Sequence, residues 1–204
     1  MEIDIEVARK VLETVDAGLV KGVGKPIPGQ MCVEAAVCYA MGLPHGDDPA
    51  CVAPMLRSFK IRLNDANWSS NEARAVGLRR LSIIQLGSAG FLDEAEFRRR
   101  LVDWAIGTCV PLALRAAASV QKSTKHKSAL LDHASRCEKE RTRQSAIDAK
   151  SAAYAAYAAA ADAYAAARDK TLARFAEDVV KILIEMKVPG VQWLDLAPLE
   201  TAHA

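Results

Sequence analysis

Cys32 stands where a helix should begin, and His45, Asp47 and Asp48 follow just past that helix's end. A thiol at a helix N-terminus is stabilised as thiolate by the positive end of the helix dipole. Gln30, two residues earlier, could supply a donor to an oxyanion. Cys32 and His45 are therefore the candidate pair for a cysteine hydrolase. The competing reading, which we favour, makes Cys32 a small hydrophobe inside a buried helix. Glu34 is the one charge on that helix and sits in its first turn, where a negative charge is favourable. There it would be half exposed; if buried, it needs a partner, such as an arginine, or a raised pKa.

Cys32, Cys38, His45 and Cys51 invite a zinc reading, but Cys32 and Cys38 are six apart on one helix and diverge by about 120°. Zinc sites favour close pairs, so no metal is expected. His126, His133 and Cys137 add no complete ligand set. No Walker loop, dinucleotide fingerprint, HExxH or G-x-S-x-G occurs, and no cofactor is expected.

The most polar stretch runs from Arg57 through Arg62, Asn64 and Trp68 to Arg74. Arginines around an indole and amides suit an anionic small molecule such as a signalling nucleotide. Together with Glu34 these residues form the candidate ligand site. The alternative is a solvated helix pair whose loop needs Asn and Ser for turns and caps, with Trp68 covering the core.

What must position these groups is helical. Three-and-four apolar spacing recurs and period-two alternation does not, so the fold class is all-α. Val7, Val11, Val15 and Leu19 make the first stripe, the second helix runs from about Met31 to Met41, and a third opens at Asp48–Pro49. Ser69 with Glu72 offers a capping box for a fourth, and Asp93 with Glu96 for a fifth. These elements give a compact helical domain over 1–120. From Pro111 to Pro189 there is neither glycine nor proline. One helix of that length would span on the order of 115 Å, so breaks are expected near "QKSTKHK" and "CEKERTRQ". The result is a long Ala-rich hairpin over 121–188 and a tail over 189–204. Tyr154, Tyr157, Tyr164, Leu172, Phe175, Val179, Ile182, Leu183 and Met186 share one face. That seam must be covered by another helix or a second chain, which makes Tyr154, Tyr157, Tyr164 and Phe175 the candidate interface.

The 204 residues carry five cysteines and a net charge of +2. Reduced thiols and the absence of a signal-like start imply the cytoplasm, and the small charge argues against nucleic acid. No unbroken apolar run reaches the roughly 18 residues that cross a bilayer, so no membrane partner is expected.

"PGQMCVEAAVCYAMGLPHGDDPACV", "KIRLNDANWSSNEARAVGLRRL" and "ILIEMKVPGVQWLDLAP" resemble an uncharacterised family carried by bacteria and their phages. That likeness spans most of the chain and implies no activity. The Ala152–Ala167 repeat is similar to alanine-repeat helices of proteins described as bacterial immunity proteins. The expected function is a non-enzymatic interaction protein that self-associates or binds a protein partner, with the resemblance implying a role in bacteria–phage conflict. Binding of an anionic small molecule and cysteine hydrolysis are the alternatives.

Overall fold

The computed structural model describes residues 3–157 and 164–199, the side chains of 154–157 and 164–167 excepted. Among these residues the chain is all-α, with only an isolated bridge between Gly24 and Met31 outside helices. It divides into two compact units, Met1–Glu94 with Leu172–Ala204, and Ala95–Thr171. The expected boundary at 120 therefore falls at 94, and the tail over 189–204 belongs to the first unit. Local helix signals place elements but do not reveal which distant element returns to pack on them.

In the first unit α1 (Ile5–Asp16) is capped by Asp4, whose side chain accepts from the Val7 amide at 2.9 Å. Its stripe residues Val11 and Val15, with Leu19 beyond, are fully buried. Next come α2 (Val33–Ala40), α3 (Pro54–Asn64) and α4 (Asn71–Ile84). Two expected starts move. α3 opens at Pro54 rather than at Asp48–Pro49. Both prolines fit a first helical turn, and at the second one the Ser88 hydroxyl accepts from the Ala53 amide at 2.9 Å. α4 is capped by Ser70, not Ser69, through the Ala73 amide at 3.0 Å.

The chain returns to this unit in the second part of α9 (Tyr164–Glu185) and in a 3₁₀ turn, Pro189–Leu196. Arg80 of α4 fastens both, donating to Glu177 at 3.0 Å and to the Ala197 carbonyl at 2.6 Å. Gly190 lies so close to α4 that a Cβ would stand 2.2 Å from the Ile84 carbonyl oxygen. The lower half of the predicted seam is thus covered within the chain: Val179 and Leu183 are fully buried and Ile182 nearly so. Leu172 and Phe175 are half-buried. The side chains of Tyr154, Tyr157 and Tyr164 lie outside the described residues.

The second unit holds α5 (Glu94–Trp104) from its second residue, a π-helical turn (Ala105–Cys109), α6 (Val110–Val120), α7 (Thr124–Glu140) and α8 (Arg143–Tyr157). Breaks fall at both expected places. Ser123 caps α7 through the His126 amide at 3.4 Å, and Arg141, with φ 49°, ends it in the left-handed region. Leu114, Ala118, Leu130, Ala134, Cys137 and Ala149 form its core. The continuous helical run Glu94–Val120 is long and apolar enough, by length and composition, to cross a membrane, and 22% of its most apolar stretch is buried. Asp103 and Arg115 interrupt that stretch, so it contains no unbroken apolar run of such length.

Candidate functional site

α2 is the most deeply buried short element of the first unit, and its Glu34 has no exposed surface. The partner is Lys60 of α3, also without exposed surface, with Nζ 3.3 Å from Oε1. Glu34 is thus not half exposed, and its partner is a lysine rather than an arginine. The signal for Lys60 was nonetheless present: Leu56, Lys60 and Leu63 are spaced four and three apart, on the buried stripe of α3.

The pair is charged company without hydrogen-bond alignment. Neither Glu34 oxygen nor Lys60 Nζ has a hydrogen-bond partner, and the same holds for Oε1 of buried Gln85. Burial pushes the Glu34 carboxyl above its ordinary pKa, while Lys60, Arg57 and Gln85 nearby pull it down. Burial likewise lowers the Lys60 ammonium, against the pull of Glu34. Taking two charges out of water costs several kcal/mol per ion, and imperfect geometry offsets only part of it. A cavity adjoins this costly arrangement. It has a volume of about 70 Å³ and is bordered by Cys32, Glu34, Asp47, Asn64 and Asp65, with Gly22, Val23, Val33 and Ile61 completing the wall.

The walls are held by the stretch that looked like a ligand loop. The last carbonyls of α3 need donors from outside the helix. Trp68 Nε1 donates to Leu63 O at 2.9 Å, and Arg74 Nε donates to Asn64 O at 2.8 Å. Arg74 Nη1 also reaches Leu19 O at 2.9 Å and Asn71 Oδ1 at 2.7 Å. So fixed, the end of α3 presents two side chains to the loop before α2. Asn64 Oδ1 accepts from the Val33 amide at 3.2 Å, and its Nδ2 donates to Val20 O at 2.9 Å. Asp65 Oδ1 accepts from the Gly22 amide at 2.8 Å and from Asn64 Nδ2 at 3.0 Å. The loop itself doubles back tightly. Gly24, at φ +74°, would place a Cβ 2.0 Å from the Gln30 carbonyl oxygen, so only glycine fits.

Of the six residues expected to bind a ligand, Glu34 and Asn64 border the cavity together. Trp68 and Arg74 are buried and serve α3. Arg57 pairs with Asp48, and Arg62 is exposed. Sequence reading did not single out Asp47 or Asp65 as site residues. Asp65 was legible only as an acid among arginines, and Asp47 sits in a loop whose path no local pattern dictates.

Cys32 does cap α2, its Sγ accepting from the Ala35 amide at 3.3 Å. Yet burial raises the thiol pKa, outweighing the Ala35 and Glu34 amides that lower it, and Glu34 and Asp47 raise it further. Cys38 is pushed up to about 11, again chiefly by burial. His45 Nε2 lies 3.1 Å from the Gly24 carbonyl oxygen, a contact that fixes the loop rather than activating a thiol. Among the described residues no group of three or more His, Cys, Asp and Glu could hold a metal ion.

The site defines a helical protein with a buried acid–base pair beside a small polar cavity. No family model, curated protein or solved structure matches the chain.

Proposed function

We propose that this is a small-molecule-binding protein whose ligand inserts a hydrogen-bond-donating end into the cavity beside Glu34. One observation carries the reading: a carboxylate with no exposed surface borders a cavity while both its oxygens lack an aligned donor. A buried acceptor left unsatisfied costs about 1–3 kcal/mol, more when charged, and a ligand that supplies the donor recovers it. The cavity is bordered by carboxyl and amide groups, which sets it apart from the anion site expected around Trp68. Hydrolysis by Cys32 lacks support, because burial raises its thiol pKa and His45 contacts the Gly24 carbonyl instead. Five free thiols support a cytoplasmic setting.

The test is a titration of the isotopically labelled full chain with a library of small polar fragments, followed by amide chemical shifts. Binders should perturb Gly22, Val23, Val33 and Asp65 together. Perturbations centred on Arg62 and Trp68, or none at all, would overturn the proposal.

A further inference from the structure

We infer that the ligand's inserted end is a primary ammonium carried on an alkyl stem, an inference that rests on the cavity being a binding site. Charge comes first. Three carboxyl groups, Glu34, Asp47 and Asp65, border the space against the single ammonium of Lys60, and Lys60 itself is not part of the wall. Asp65 accepts both its hydrogen bonds on Oδ1, and no described residue donates to Oδ2. Asp47 forms no ion pair among the described residues. Arg57, the other nearby cation, is engaged by Asp48.

An anion finds no comparable welcome. The start of α2 would ordinarily present its amides to one. Here the Val33 amide is taken by Asn64 Oδ1 and the Ala35 amide by Cys32 Sγ. Size narrows the choice further. At about 70 Å³ the cavity takes a small polar head group. An ammonium head is small and brings up to three donors to a wall that carries the Glu34, Asp47 and Asp65 carboxyl groups. A quaternary ammonium is larger and brings none. Val23, Val33 and Ile61 on the wall would flank an alkyl stem.

The experiment compares four probes at matched ionic strength and neutral pH on the labelled full chain: n-butylamine, tetramethylammonium, butyramide and butyrate. Butylamine should shift the Gly22, Val23, Val33 and Asp65 amides saturably. Asp47→Asn should weaken it by about tenfold or more, the loss of one charge-assisted hydrogen bond, with the spectrum of the variant confirming its fold. Tetramethylammonium and butyrate should leave those amides unmoved. Equal response to tetramethylammonium, or butylamine binding indifferent to Asp47→Asn, overturns the ammonium. Butyramide or butyrate moving these amides while butylamine does not also overturns it but keeps the cavity as a binding site. Silence from all four removes both.

Discussion

The two units share a fold class and treat charged groups in opposite ways, although the second also buries Ser145 and Gln121. The first buries Glu34, Lys60, Ser82, Gln85 and Ser88 without exposed surface, amid Leu56, Leu78, Leu81 and Ile84. The second builds its core cluster from leucine, alanine and Cys137 and keeps its ion pairs outside, as in Arg115–Glu138 and Arg136–Glu140. Exposed pairs like these are worth at most about 1 kcal/mol, whereas a buried pair with poor alignment is a standing cost. Small side chains and external pairs suffice to pack the helices of the second unit, so packing alone does not call for the charged pair inside the first. That contrast supports the proposed binding of a ligand beside Glu34.

The largest effect should come from separating the buried pair. Lys60→Met leaves Glu34 without its counter-charge and should cost about 3–5 kcal/mol in urea unfolding. Glu34→Leu combined with Lys60→Met should restore stability to wild type or exceed it by up to about 4 kcal/mol, while abolishing fragment binding. If the double variant were as unstable as the single one, the pair would be a structural requirement and the contrast between the units would lose its functional meaning.

The same comparison sharpens with pH. Glu34 is raised in the fold, so its stabilising share is whole below about pH 4.3, its unfolded value, and drains as pH rises through the folded one. Lys60 is lowered, so its share is whole above about pH 10.4 and drains as pH falls through the folded value. Both losses overlap near neutrality. Wild type should therefore fall furthest behind the double variant between those limits and gain on it toward either end, as read by unfolding curves at pH 5, 7 and 9.5. A gap constant with pH would mean that the pair holds one proton throughout.

Much of this architecture was legible because its causes are local. The length of the glycine- and proline-free stretch 112–188 made breaks necessary, and they fall within the two polar segments named for them, at Gln121–Ser123 and at Arg141. Glu34 was legible as a lone charge on an apolar helix. Its partner was harder. Six cationic side chains between Arg57 and Arg80 look alike in composition, and only the position of Lys60 on the α3 stripe marks it as buried. Trp68 and Arg74 resemble ligand groups in the sequence, beside the alternative of Trp68 covering the core, because the needs of the last α3 carbonyls are invisible until the chain is folded. The return of α9 to α4 depends on residues about a hundred apart, such as Arg80 and Glu177, and no short-range pattern encodes it.

The smallest effects come from one glycine in each unit. In α4, a Cβ on Gly77 would stand 2.3 and 2.6 Å from atoms of the Trp68 ring. The ring is 7% exposed and its Nε1 is tied to Leu63, so it cannot swing away without releasing the end of α3. Gly77→Ala should then cost about 1–3 kcal/mol from overpacking, less up to about 1 kcal/mol regained from alanine's helix propensity. It should also disturb the Asn64 and Asp65 amides at the cavity. In the second unit, a Cβ on Gly107 would meet the Arg141 guanidinium at 2.5 Å. That group is the far end of a flexible side chain whose other bond, to Asp103 at 2.5 Å, is exposed and worth little. Gly107→Ala should therefore change stability by less than about 1 kcal/mol. The difference follows from what each glycine faces: a ring that props the site on one side, and a movable surface cation on the other. Equal costs at the two positions would show that Trp68 is no more fixed than Arg141, and the support of the cavity by α3 would have to be argued from Arg74 alone.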